Sequence, residues 1–129
     1  MLLEGYADRH GRVEPMQDGY RLRADGVLDL LPLLSRLAET RDAGYGAALF
    51  HATLACALAD WAAGAAQRTG LRSIALGGGC FANHVLSTTL RARLERLGLS
   101  VLEAKAAPPN DGGLALGQAA VALAAAGVR

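Results

Sequence analysis

Cysteine, aromatic residues and charge of one sign are all scarce in this chain of 129 residues, and each scarcity narrows what it can be. Cys56 and Cys80 stand alone with no CxxC spacing, so neither a disulfide framework nor a zinc site is signalled. Aromatics make up only 5%, against a hydrophobic share of 52% carried mostly by alanine and leucine. Such a composition favours closely packed helices over an aromatic-rich β-sandwich. Thirteen basic and twelve acidic side chains leave a net charge of +1 with no block of like charge. That argues against a dominant nucleic-acid or membrane surface. The N-terminus lacks the basic-then-apolar pattern of a signal peptide, and no uninterrupted apolar run reaches spanning length. A cytoplasmic protein that binds neither nucleic acid nor membrane is the expectation. The length suits one domain, or part of a larger one.

What is abundant is glycine, and it clusters. In the stretch 72–83, Ile74, Ala75 and Leu76 form the short apolar run of a buried strand, and Gly77-Gly78-Gly79 follow as a turn without Cβ atoms. A helix is then expected to aim its leading N–H groups back at the turn, an arrangement that attracts phosphate. Asn83 reads as the N-cap of that helix, and Val85, Leu86, Leu90, Leu94 and Leu97 mark one apolar face. Gly98 stops the helix. Ser100–Glu103 then makes a second strand, parallel to the first in a βαβ unit. Cys80 inside the turn reads as a small buried filler.

A second cluster is Pro108-Pro109-Asn110-Asp111-Gly112-Gly113, leading into an alanine-rich helix. The prolines set an extended approach, and Asp111 stands beyond the C-terminal end of a parallel strand, where open α/β sheets bind ligands. Two readings are open for it: an N-cap with a glycine hinge, or a carboxylate facing a metal ion or metal-bound phosphates. A second glycine turn at the same sheet edge favours the latter. The run Gly77–Ala82 also satisfies G-x-G-x-x-G/A, with Glu103 where a ribose-binding acid would stand. A dinucleotide fold, however, continues with several more βα units, whereas here two helices precede the motif and one strand and one helix follow.

The remainder is mostly helical. Residues 1–26 form an irregular lead-in: Met1–Ala7 as a helix tail, 8–19 as loop, and Tyr20, Leu22 and Ala24 as a weak edge strand. Residues 27–71 are helical. Asp29 is expected to cap a first helix with Pro32 in its first turn and a face of Leu30, Leu31, Leu34, Leu37 and Ala38. A longer helix over 43–67 carries Phe50, Leu54, Leu58 and Trp61 as a buried stripe and ends at Gly70 in a left-handed cap. His51 beside that stripe reads as a helix histidine with a local hydrogen bond, and His84 as a solvated residue.

Gly77-Gly78-Gly79-Cys80-Phe81-Ala82-Asn83 together with Pro108-Pro109-Asn110-Asp111-Gly112-Gly113-Leu114-Ala115-Leu116-Gly117-Gln118 resembles the C-terminal end of the carbamoyltransferase HypF family of [NiFe]-hydrogenase maturation. Phe50-His51 and the Leu3-Glu4 segment fit the same family, so the similarity spans nearly the whole chain. The resemblance implies the last part of a Kae1-like domain, an α/β fold of the actin-like ATPase (ASKHA, RNase H-like) superfamily, with 72–129 as a nucleotide-site βαβα unit. It implies an enzyme that uses carbamoyl phosphate and ATP, through a carbamoyl-adenylate, to carbamoylate the C-terminal cysteine of a HypE-like partner for cyanide synthesis. Carried over by position, Gly77, Gly78, Gly79 and Asn83 would contact the nucleotide, and Asp111 would hold a divalent metal near its phosphates. No catalytic residue is assignable. The family's zinc-finger, acylphosphatase-like and adenylate-forming segments and the HxxxH pair have no counterpart here, since His10, His51 and His84 are nowhere four apart. The isolated chain is therefore expected to lack turnover, to work with the rest of a HypF chain, and to self-associate through an exposed apolar surface. A tRNA threonylcarbamoyltransferase (Kae1/TsaD-like) is the nearest alternative, though that branch reads closer to DNGA where this chain has Asp111-Gly112-Gly113-Leu114. A non-catalytic helical interaction module is the other.

Overall fold

A computed structural model describes residues 2–108 and 110–127; Met1 and Pro109, both part of the readings above, lie outside the described residues. The chain opens with helix α1 (Leu2–His10). A hairpin follows, β1 (Arg21–Leu22) antiparallel to β2 (Leu28–Asp29). Helices α2 (Leu31–Glu39) and α3 (Ala43–Thr69) come next, then strand β3 (Ser73–Leu76), helix α4 (His84–Arg96), strand β4 (Ser100–Glu103) and helix α5 (Leu114–Ala125). Short 3₁₀ turns at Gly79–Ala82 and Asp111–Gly113 precede the last two helices. The β3–α4–β4 segment is the expected parallel unit, in register from Ser73 opposite Ser100 to Leu76 opposite Glu103.

Helix α3 is the spine. Asp42 starts it by accepting the Tyr45 N–H at 3.0 Å, a bond that holds its carboxyl below the usual range, and Gly70 ends it at φ +73°. By length and composition α3 could cross a membrane, but half of its most apolar window is buried inside this fold. What it buries is small: Ala55, Ala59 and Ala66 let α4 approach, and Leu76, Leu86, Leu90, Leu94 and Leu99 close the main core over them. Nearer its start, Ala47 and Ala48 pack on Ala7 of α1. The stripe read from the sequence is thus half right. Leu54 and Leu58 do pack against this core, while Trp61 stays 44% exposed and donates its indole N–H to the Gly26 carbonyl at 2.7 Å.

The segment between α1 and α2 departs most from expectation. Its helix runs on to His10, and the edge strand gains a partner in β2, so a hairpin replaces irregular chain. The segment is stapled along α3 by polar bonds that periodicity cannot show. Met16 N–H donates to Thr53 Oγ1 at 3.0 Å, and the Tyr20 hydroxyl donates to Asp60 and lies 3.5 Å from Cys56 Sγ. In α2 the N-cap position is Leu30 rather than Asp29, although Asp29 still accepts the Leu31 N–H at 2.9 Å. The face also turns: Leu33 is fully buried, while Leu31 and Leu34 are exposed. Leu33 N–H bonds the Gly19 carbonyl of the segment between α1 and β1, and that contact sets the rotation.

Every residue of α5 is exposed, including Leu114, Leu116, Val121 and Leu123. The outer face of the β3–β4 pair is open as well, with Ala75 and Leu102 on it. Parallel strands and all-apolar helices belong in the interior of larger α/β layers, so this side carries the unfinished surface.

Candidate functional site

Both glycine turns lie at the C-terminal edge of the β3–β4 pair, because both strands run parallel: the first turn follows β3 directly, and the second follows β4 after a short connection. They meet there: a Cβ built on Gly79 would stand 3.8 Å from Asn110 Cβ. In the first turn only Gly78 needs its glycine for conformation, at φ +106°. A Cβ on Gly77 or Gly78 would meet nothing within 4 Å, so that side of the backbone is open. Among the described residues, the N–H groups of Gly77 and Gly78 enter no hydrogen bond. Adjacent amides without side chains over them leave the backbone open to the close approach of another group.

The expected anion site at the following helix is not what forms. The chain first passes through the 3₁₀ turn Gly79–Ala82, and the leading N–H groups of α4 are already taken. Glu4 of α1 accepts the His84 N–H at 2.5 Å, and Asn83 Oδ1 accepts the Leu86 N–H at 2.9 Å. The bond from His84 holds the Glu4 carboxyl below its usual range, so a negative charge occupies the helix end where a phosphate was expected. The end of α4 is therefore closed to a phosphate.

Asn83 is 7% exposed, and its amide is committed to the fold, as the N-cap reading anticipated. Its Nδ2 lies 2.8 Å from His51 Nε2, and His51 Nδ1 lies 2.7 Å from the Ala47 carbonyl. The local bond expected of His51 is present; its contact with Asn83, 32 residues away, was invisible in the sequence. Cys80 is exposed, not a buried filler, because the 3₁₀ turn lifts it off the core.

In the second turn the cap is Asn110, whose Oδ1 accepts the Gly112 N–H at 2.9 Å. Asp111 is not an N-cap. It lies exposed in the 3₁₀ turn; its carbonyl accepts the Leu114 N–H, while its carboxylate has no hydrogen-bond or ion-pair partner among the described residues. The two glycines after it are fixed by space: a Cβ on Gly112 would be 3.0 Å from Asn110 Oδ1, and one on Gly113 2.9 Å from the Pro108 carbonyl. Two cavities flank the turns. One of ≈ 250 Å³ is bounded by Phe81, His84, Ser87, Arg91 and Glu103; an open groove of ≈ 750 Å³ runs along α5 past Pro108, Asn110, Leu114 and Val121. Glu103, the acid of the dinucleotide alternative, is engaged with Arg91 at 2.7 Å.

The donor set fits a nucleotide's phosphates better than it fits a metal by itself. Two open glycine amides suit phosphate oxygens, whereas no group of three His, Cys, Asp or Glu converges anywhere among the described residues. Asp111 can supply one oxygen ligand of a divalent cation, with the other positions left to phosphates and to groups beyond this chain.

A family model described as "Carbamoyltransferase, Kae1-like Domain, second subdomain" matches residues 1–118. Carbamoyltransferase HypF2 of Cupriavidus necator is 52% identical over 108 residues, which is 84% of this chain and 13% of that protein. A HypF homolog of the same organism is 51% identical over 109 residues, 80% of this chain and 28% of the relative. HypF of Rhizobium leguminosarum bv. viciae is 50% identical over 106 residues, covering 81% and 14%. A full-length HypF solved in a phosphate- and nucleotide-bound form superposes with TM-score 0.72 at 29% identity, over 93% of this chain and 16% of that one. The chain thus spans between 13% and 28% of the length of these three curated relatives.

Proposed function

Because this chain belongs to the HypF carbamoyltransferase family, as the second subdomain of a Kae1-like domain, we propose that it forms one wall of a nucleotide cleft whose other wall lies elsewhere in a HypF protein. The observation that carries this reading is the meeting of the two glycine turns, Gly77–Gly79 and Asn110–Gly113, at one edge of the parallel strand pair. Open α/β sheets bind ligands at that edge.

In this reading the amides of Gly77 and Gly78 receive phosphate oxygens of ATP or of a carbamoyl-adenylate. Gly79 keeps the approach free of a side chain, and Asp111 offers a carboxylate to the divalent cation that accompanies them. The cation, when bound, neutralises phosphate charge and orients the phosphates. The whole enzyme then passes a carbamoyl group, supplied as carbamoyl phosphate, to the terminal cysteine of a HypE-like protein in the cytoplasm, a step of hydrogenase maturation. Asn83 acts here through the shape of the turn rather than by direct contact, since its amide is already bonded on both sides. The exposed α5 and the open face of β3–β4 support the same reading, because a first subdomain would cover them. Alone, this chain lacks turnover and self-associates through that face.

Calorimetric titration with a non-hydrolysable ATP analogue and magnesium tests the cleft. Binding that Asp111→Ala weakens is the expected result. Binding of undiminished strength in that variant removes Asp111 from the site. Carbamoyl transfer to HypE by this chain alone would overturn the half-cleft reading.

A further inference from the structure

His51 has no part in the site as described above, yet it is 2% exposed and lies in the middle of α3 with both ring nitrogens engaged. The directions of those bonds follow from their neighbours. The Ala47 carbonyl can only accept, so the proton is on Nδ1, which donates to it across 2.7 Å. The Leu86 N–H can only donate, so the Asn83 atom 2.9 Å away is Oδ1 and the atom facing His51 is the NH₂ group. Asn83 Nδ2 therefore donates to Nε2 of a neutral ring across 2.8 Å. The chain of donors runs one way, from the Leu86 N–H through Asn83 and His51 to the Ala47 carbonyl, and any change of tautomer or amide orientation sets two donors or two acceptors against each other.

Asn83 is also where the glycine turn is tied down. Its own N–H closes the 3₁₀ turn on the Cys80 carbonyl at 3.1 Å, two residues beyond the bond from Phe81 N–H to the Gly78 carbonyl. Its carbonyl accepts the Ser87 N–H of α4 at 3.0 Å. A rotated Asn83 would let the turn move against both β3 and α4.

We propose that His51 is a positioning residue of the nucleotide site: its neutral, Nδ1-protonated ring orients the Asn83 amide and through it the backbone of Gly78 and Gly79. The affinity arm of this proposal rests on the nucleotide reading above; the geometric arm does not. The experiment is nitrogen-15 NMR of this chain, wild type and two variants, with titration of a non-hydrolysable ATP analogue and magnesium. In the wild type the His51 ring shows one protonated nitrogen, Nδ1, and one acceptor, Nε2. His51→Phe fills the space but leaves the Asn83 NH₂ without an acceptor. It displaces the Gly78 and Gly79 amide signals and weakens the analogue about tenfold, the scale of one buried hydrogen bond. His51→Gln, whose side-chain oxygen reaches the position of Nε2, restores both. A proton on Nε2 overturns the proposal. So does a His51→Phe chain that melts lower but keeps the turn signals in place, since that marks a packing role only. A wild type with the expected ring and turn signals but no analogue binding overturns the nucleotide reading and leaves the positioning of the turn standing.

Discussion

Replacing Asn83 with alanine removes two buried bonds at once, and the structure supplies the scale of the loss. The cap to Leu86 N–H contributes about 1 kcal/mol, in a range of roughly 0.5–2 kcal/mol for such side chains. The second loss strands His51 Nε2, and an acceptor left unsatisfied in a buried place costs about 1–3 kcal/mol. The sum is about 2–4 kcal/mol, which for a domain of this size lowers Tm by about 7–15 °C. Urea denaturation followed by circular dichroism measures it, with the m-value checking that the unfolded state is unchanged. Combining the substitution with His51→Phe makes the argument sharper. In the double variant neither partner remains to be stranded, so the losses must fall short of additive by about 1 kcal/mol or more. A loss below about 1 kcal/mol for Asn83→Ala, or strict additivity in the cycle, refutes the reasoning.

Other expectations follow from the same geometry. Leu94→Ala, at a fully buried position under α3, should cost about 3–5 kcal/mol by leaving a cavity in the main core, measurable in the same denaturation assay. Gly113→Ala drives a Cβ to within 2.9 Å of the Pro108 carbonyl and should disturb the second turn, whereas Gly117→Ala meets nothing and should stabilise α5 by up to about 1 kcal/mol. Equal effects of the two would sink the packing account of that turn. Burial, followed by its bonds to Asp60 and Cys56, raises the Tyr20 phenol above its ordinary value. Its stabilising contribution is therefore complete below the unfolded value of about 10 and is lost as pH rises beyond that, because the folded state holds the proton longer. Tyr20→Phe should flatten the alkaline fall of stability and remove the highest step of the ultraviolet phenolate titration. An unchanged titration would refute this assignment.

Local chemistry made much of this protein readable before any coordinates. The glycine at 70, the apolar series Leu86, Leu90 and Leu94, and two four-residue strands on either side of one helix are short-range patterns whose physical meaning does not depend on what lies across the fold. The parallel pairing followed from the crossover alone, and with it came the meeting of the two glycine motifs at one sheet edge. The combination of the stretch from Gly77 to Asn83 with that from Pro108 to Gln118 also pointed to the family that the comparisons show. What failed were statements about which side of an element faces inward. The face of α2 turned because Leu33 N–H bonds the Gly19 carbonyl, and Trp61 stayed outside because its indole N–H reaches Gly26. Cys80 was exposed by a 3₁₀ turn that glycine composition permits but does not require.

The sequence by itself determined the β3–α4–β4 order and the two glycine turns, since each rests on neighbouring residues whose conformational preferences are strong and local, and the motifs at those turns carried the resemblance to the family. Only the tertiary structure decided the fate of the site's polar groups. Glu4 closes the end of α4 from 80 residues away, and His51 holds Asn83 from 32 away. Hydrogen bonds between distant residues leave no periodic trace in a sequence, because their energy depends on direction and burial that exist only once the helices have packed.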